Sequence, residues 1–399
     1  MRDAVIVEAV RTPVGKGKPG GSLSGVHPVD LLAATLEALV ERAGIDPALV
    51  DDVVAGCVSQ SSEQAANVAR TAALAAGFPE SVPGTTVDRQ CGSSQQALSF
   101  AAQAVVSGAQ DLVVAAGVES MSRVPMGSSV RGADPGGERF AARYPDGMVG
   151  QGVSAELIAA RWDLSRARLD EYAALSHQRA ASAWAGGRFD RQAVPVKARQ
   201  ADGSVALVAT DESVRPGTDV DGLSRLRPAF ADDAVAARFP DIDWRVTAGN
   251  SSPLNDGAAA LLVTTSERAR ELGLSPRARI HATTVIGDDP LLKLTAVIPA
   301  TARVLQRAGL TLDEVDLFEV NEAFASVVLA WQAETGVSTD RLNVYGGGIS
   351  IGHPLGASGA RIATTLVDAM HDRGARYALQ TMCEAGGLAN ATVFERLDG

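Results

Sequence analysis

The sequence has 399 residues, beyond the usual single-domain size, and 46% of them are hydrophobic, so two or three domains with sizeable cores are expected. A formal net charge of −11, from 36 basic and 47 acidic side chains, excludes a general nucleic-acid binder but leaves room for an anionic ligand held by a few local arginines. The three cysteines are far apart and lack C-x-x-C spacing, and neither a signal peptide nor about 18 consecutive apolar residues are present. The expectation is a soluble protein of the reducing cytoplasm, with no metal site and no membrane span.

Residues 4–7 read as a short buried strand, followed by a Gly/Pro-rich loop over 12–25. Residues 28–43 read as a helix, with Asp30 in the first turn and Gly44 just past the end. Residues 50–58 form a strand, and residues 65–75 a helix that ends at Gly77. The β-branched run Thr85, Thr86 and Val87 ends another strand. After Cys91, the residues Ala97, Leu98, Ala101, Ala102, Val105 and Val106 recur at helical spacing up to Gly108. Residues 111–116 are again an apolar strand. Strand alternating with helix predicts a mainly parallel α/β sheet.

Cys91 thus sits where a strand turns into a helix. Free N–H groups and the positive end of the helix dipole gather there, which favours a thiolate. Position alone leaves open both a reactive thiol and a buried structural cysteine.

The second half of the chain repeats the first. The segment 41–57 matches 306–322 in layout, pairing Gly44 with Gly309 at an offset of 265 (309 − 44). The segment 107–117 matches 373–383, pairing Gly108 with Gly374 at an offset of 266 (374 − 108). Such agreement indicates a duplicated α/β half whose equivalent loops face one another. The same offset carries Cys91 to about residue 356, inside the Gly-rich segment 346–360 that holds His353. It also puts Cys383 in the loop after the last repeated strand. A Cys, a His and a second Cys therefore gather around one pseudo-twofold axis, and that constellation favours catalysis.

Residues 120–245 have no counterpart in the repeat. They read as an inserted domain with helices over 154–162 and 167–184, after which 258–264 resumes the first half as a strand. The expected division is 1–119 continued by 246–272, an insert over 120–245, and a second half over 273–399.

Four blocks make the chain resemble the thiolases along its whole length. They are the segment around Cys91, Gly249-Asn-Ser-Ser-Pro-Leu-Asn-Asp-Gly257, Asn321-Glu-Ala-Phe-Ala325 with residues 346–359, and Cys383-Glu-Ala-Gly-Gly387. The resemblance implies a duplicated α/β fold with a five-layered α-β-α-β-α core and an inserted loop domain. It implies that Cys91 is the nucleophile, accepting an acyl group from coenzyme A as a thioester. His353 would take the Cys91 proton and face the substrate thioester oxygen, and Cys383 would be the acid/base at the acetyl-CoA carbanion. Asn321 would hold a water that completes one oxyanion hole with His353, while the N–H groups of Cys91 and Ala385 would form the second.

The resemblance also implies contacts to coenzyme A, a co-substrate rather than a permanently bound cofactor. Arg215 would approach the adenine and Ser252 the pantetheine amide, with Ala248, Ala323 and Phe324 lining the channel. A homodimer or homotetramer is implied as well. The leading expectation is a degradative 3-ketoacyl-CoA thiolase. The alternatives are an acetyl-CoA acetyltransferase running the condensation and a thiolase-like lipid-binding protein without chemistry.

Two departures from the family pattern stand out. Ala385 replaces the first of three glycines, so its N–H serves as a donor only if its φ is negative. Gly150 and Gln151 replace a bulky His-Met pair ahead of Ala155-Glu156, which favours a longer or bulkier acyl chain. The stretch 231–245, with Phe239 and Trp244, is an extra candidate for the acyl pocket.

Overall fold

The structure is a computed structural model that describes residues 2–200 and 202–398. Its first half contains β1 (Val5–Arg11), β2 (Gly15–Lys16), α1 (Pro28–Ala43), β3 (Asp52–Gly56), α2 (Val68–Ala75), β4 (Gly84–Val87), α3 (Ser93–Ser107) and β5 (Leu112–Ser120). Between β5 and the next strand of the same sheet lie α4 (Gly137–Arg143), α5 (Gln151–Arg161), α6 (Arg166–Ala185), the hairpin of β6 (Val196–Arg199) and β7 (Val205–Val208), α7 (Val220–Ser224) and α8 (Asp233–Arg238). The chain continues through β8 (Asn255–Thr264), α9 (Ser266–Glu271), β9 (Ala278–Gly287), α10 (Val297–Ala308), β10 (Leu317–Val320), α11 (Ala325–Thr335), α12 (Ser358–Arg373), β11 (Tyr377–Glu384) and β12 (Leu388–Arg396).

The strands run in the order β10-β11-β12-β9-β1-β8-β5-β3-β4. The two halves of this sheet join where β1 pairs with β9, through Val5↔Arg279 and Ile6↔Ala278. The sheet is mixed rather than mainly parallel. β3 runs parallel to β4 and β5, and β10 runs parallel to β11, but β8 and β12 are antiparallel to their neighbours. β12 follows β11 through a short turn, and a hairpin can only pair antiparallel.

Alternating side chains divide each strand between two cores, which produces the five layers. On β8, Ala258, Ala260 and Leu262 join α1 and α2, whereas Ala259, Leu261 and Val263 face α3 and α12. In the second half, Leu317 and Ala378 face the same central helices, while Phe318, Val320 and Leu379 face α10 and α11. Because both faces are covered, strands such as β5 are buried at every residue and read as continuous apolar runs.

The repeat is visible in the helix ends. α1 and α10 stop at Gly44 and Gly309 with φ of 67° and 68°, and α3 and α12 stop at Gly108 and Gly374 with φ of 78° and 66°. Each glycine supplies the left-handed residue that closes a helix C-terminus. The repeat is incomplete beside β10, where the single bridge Phe318↔Leu342 stands in place of a strand equivalent to β4.

The segment after β5 is tied to the core by a fully buried ion pair. Arg11 Nη1 and Nη2 reach Asp211 Oδ1 and Oδ2 at 2.7 and 3.0 Å, and Trp184 Nε1 also donates to Asp211 Oδ2. α5 and α6 bury Ile158, Leu169 and Tyr172 in the core that holds α11. Among the described residues no helix is long and apolar enough to cross a membrane.

Candidate active site

Cys91 stands in the turn between β4 and α3, where local polar groups fix the backbone. Asp88 Oδ1 accepts the Gln90 N–H at 2.7 Å, Ser93 Oγ accepts the Arg89 N–H at 2.9 Å, and Ser93 Oγ donates to the Gln90 carbonyl at 2.6 Å. Gln90 has a φ of 49°, a left-handed conformation that non-glycine residues adopt mainly when their surroundings enforce it. Gly92 is the N-cap of α3 and offers no side-chain cap. The Cys91 thiol is buried against Met121, Leu355, Ile362 and Met382, so residues from both halves surround it.

His353 lies on the loop that precedes α12 and is also buried. Its N–H donates to Asn255 Oδ1 at 2.9 Å. Its Nδ1 is 2.6 Å from Ser358 Oγ, and that hydroxyl gives its own proton to the Pro354 carbonyl at 2.8 Å. Ser358 therefore accepts from Nδ1–H, and Nε2 carries the free lone pair. Burial, reinforced by the Arg361 charge, lowers His353 to a pKa of about 3, so its ring is neutral at physiological pH. Glu119 pins the same loop by accepting the N–H of Gly356 at 2.8 Å along with those of Val58 and Ser59.

Asn321 follows β10, and its Nδ2 lies 3.5 Å from His353 Nε2 and 3.9 Å from Cys383 Sγ. Asn321 Oδ1 is buried with no hydrogen-bond partner among the described residues. Cys383 lies within β11, one residue before its end, instead of in the loop beyond it, because its pairing with Ala389 continues the β11–β12 ladder.

The resting thiols are harder to ionise than their position suggests. Burial is the largest cause, and it pushes Cys383 up to about 12, with Glu384 adding to the effect and Asn321 opposing it. Cys91 is raised well above the ordinary thiol range by burial, then by Cys383 and Glu384. Desolvation thus outweighs the helix N-terminus that the sequence places beside Cys91.

Ser252, Ala323 and Phe324 come together. The Ser252 N–H donates to the Ala323 carbonyl at 2.9 Å, and the Ala325 N–H donates to the Asn250 carbonyl at 3.0 Å. Ala323 and Phe324 are buried, Ser252 is half-buried, and Ala248 is exposed on the same loop. Arg215 is exposed and fixed to α6, its N–H donating to His177 Nδ1 at 3.2 Å. Gly150 is the N-cap of α5, and Gly152 lies against the ring of Phe230, which meets Phe324 edge-on at 6.0 Å. Phe230 is therefore the aromatic residue that backs this wall, whereas Phe239 is half-buried under Arg238.

The sequence reading missed four polar residues: Glu119, Asn255, Ser358 and Glu384. Asn255, Ser358 and Glu384 lie inside the four family blocks, but only packing reveals what they touch. Ala385 is not among the non-glycine residues with positive φ, so the alanine sits there without left-handed backbone strain. No cluster of three or more His, Cys, Asp or Glu suited to a metal occurs among the described residues.

Residues 4–267 match the family model for the thiolase N-terminal domain, and residues 274–396 match that for the thiolase C-terminal domain. The chain is 43% identical over 405 residues to the steroid 3-ketoacyl-CoA thiolase FadA6 of Mycobacterium tuberculosis, covering 100% of this chain and 95% of that protein. It is 45% identical over 403 residues to a 3-ketoacyl-CoA thiolase of Pseudoalteromonas translucida, with both chains covered completely. The crystal structure of the Bacillus anthracis acetyl-CoA acetyltransferase superposes with a TM-score of 0.89 at 37% identity, covering 100% of this chain and 99% of that one.

Proposed function

This chain belongs to the thiolase family, and on that premise we propose that it is a 3-ketoacyl-CoA thiolase, an acyltransferase that cleaves a 3-ketoacyl-CoA with coenzyme A. The observation that carries the mechanism is the position of Asn321, whose amide reaches both His353 Nε2 and Cys383 Sγ. Its unpartnered Oδ1 fits a water-holding role in an oxyanion hole.

His353 Nε2 accepts the Cys91 proton as the sulfur attacks the 3-keto carbon, so that thiolate formation and bond making are coupled. The C2–C3 bond then breaks, and its electron pair passes to C2 of the departing acetyl-CoA. The N–H groups of Cys91 and Ala385 face one developing oxyanion, and His353 with the Asn321 water faces the other. Cys383 gives its proton to C2. The acyl group remains on Cys91 as a thioester until coenzyme A displaces it. The coenzyme A thiol gives its proton to the Cys383 thiolate as its sulfur forms the new thioester, and the departing Cys91 sulfur takes back the proton held by His353, which releases an acyl-CoA shortened by two carbons.

The pocket reading rests on the α5 N-terminus. Gly150 carries no side chain there, Gln151 is half-buried, and Phe230 with Phe324 forms an apolar wall, all of which suits a bulky or long acyl group. The relative named as a steroid thiolase is consistent with that class. The same chemistry run backwards, as in the acetyl-CoA acetyltransferase neighbour, is the second reading. Ser252, Ala323 and Phe324, with Ala248, form the proposed pantetheine channel, and Arg215 is the proposed adenine contact. A homodimer or homotetramer in a reducing cytoplasm completes the reading.

The test is thiolysis of 3-ketoacyl-CoA substrates from acetoacetyl to long-chain and polycyclic, on wild type and Cys91→Ala. Turnover that rises with acyl size and disappears in the variant is expected. A sharp preference for acetoacetyl-CoA overturns the pocket reading, and no turnover without any Cys91 adduct overturns the enzyme reading.

A further inference from the structure

Glu384 is buried at the end of β11, and neither of its carboxylate oxygens has a hydrogen-bond partner among the described residues. It leans on the backbone of the nucleophile turn, so closely that a methyl group added to Gly92 would lie 1.8 Å from Glu384 Oε1. Gly92 is the N-cap of α3. The carboxyl group therefore occupies the same helix N-terminus as the Cys91 thiol.

A helix N-terminus stabilises negative charge through its free N–H groups and its dipole, and the effect fades within one turn. Two anions at one terminus repel each other and share that stabilisation. We propose that Glu384 is a positioning residue that governs Cys91 ionisation: as a neutral acid it leaves the α3 N-terminus to the Cys91 thiolate, and as a carboxylate it takes that place and suppresses the thiolate. The inference rests on the reading of Cys91 as the nucleophile.

The surroundings of Glu384 suit a group that is neutral at working pH. Burial pushes it up to about 8 and Asp88 adds to this, while the Arg89 charge and the nearby Asn390 N–H, which lies outside hydrogen-bond geometry, oppose it. The turn presents Asp88, Arg89 and Cys91 to it, its own strand presents Cys383, and β12 presents the backbone N–H of Asn390. Glu119 also bears on Cys91 and raises it.

The test is the pH dependence of Cys91 alkylation by iodoacetamide, mapped by peptide mass spectrometry, on wild type, Glu384→Gln and Arg89→Gln. Loss of thiolysis in step with Cys91 modification checks the nucleophile reading by itself, whatever the variants do. In wild type the logarithm of the rate is expected to rise with pH, flatten near the Glu384 ionisation, and rise again. Glu384→Gln removes the flattening. Its rate equals wild type at neutral pH and exceeds it about tenfold well above the Glu384 ionisation, for a coupling of about one pKa unit. Arg89→Gln, which raises the Glu384 pKa further, moves the flattening to higher pH. Ultraviolet thiolate absorbance, titrated on the same proteins, reads the same ionisation without reagent access. Profiles for Glu384→Gln that parallel wild type at every pH, by both readouts, overturn the proposal.

Discussion

Ser358 Oγ lies 2.6 Å from His353 Nδ1 and gives its only proton to the Pro354 carbonyl, so it acts on the ring purely as an acceptor. The arrangement fixes the histidine tautomer and leaves the Nε2 lone pair beside the Asn321 amide. Ser358→Ala is expected to lower kcat about tenfold with little change in KM, the effect of losing one hydrogen bond of about 1–1.5 kcal/mol. Steady-state thiolysis checks this, and an unchanged kcat refutes the orienting role.

The depressed pKa of His353 makes two statements about pH. The ring titrates at about 3 and is neutral well above it, so kcat/KM should be flat through about pH 6.5, where an ordinary histidine titrates. For stability the folded value lies below the unfolded one. Above about pH 6.5 both states are neutral and the group contributes nothing. As pH falls toward 3, the unfolded state binds the proton first, and His353 reduces stability by at most about 1.4 kcal/mol per pH unit. Denaturant titrations of wild type and His353→Gln between these limits measure that difference.

Cys383→Ala should separate the two half-reactions. Cys91 retains its base, His353, so acylation by acetyl-CoA persists and a mass adduct forms. Exchange of the acetyl-CoA methyl protons with deuterium oxide requires the Cys383 base, and it should fall about 10²–10⁴-fold. Equal loss of acylation and exchange would contradict the division of labour.

The glycines after Cys383 are unequal. Gly386 and Gly387 have φ of 85° and 79°, and a methyl group on Gly387 would lie 2.7 Å from the Asp288 carbonyl. Gly387→Ala is expected to destabilise the fold by about 1–3 kcal/mol and to displace the loop that carries the Ala385 N–H. Ala385 needs no such conformation, so Ala385→Gly should keep thiolysis within about twofold and cost no more than about 1 kcal/mol. Chemical denaturation and thiolysis on both variants distinguish them.

Local pattern made much of the fold legible. The expected helix over residues 28–43 coincides with α1, and the expected helix over 167–184 is α6 to within one residue at each end. The paired glycines Gly44 and Gly309 disclosed the repeat because a left-handed helix end needs the same residue in both halves. The helix over 65–75 began late, at Val68, because Asn67 takes a left-handed conformation and accepts the Arg70 N–H as its cap. Strand direction was less accessible. Apolar runs look alike in parallel and antiparallel pairing, and so the reversals at β8 and β12 left no mark.

By itself, the sequence determined the duplication, the placement of Cys91 ahead of a helix, and that of His353 on the equivalent loop of the second half, because these follow from spacing along one chain. The tertiary structure alone decided the chemistry of those groups. Ser358 sets the His353 tautomer across a local turn, while Asn321 spans His353 and Cys383, and Glu384 meets Gly92, through contacts between segments that only folding brings together. It also reversed the expected ease of thiol ionisation. A charge's cost depends on how much water surrounds it, and the burial of Cys91 between two halves of the protein is a property of packing, which no local pattern encodes.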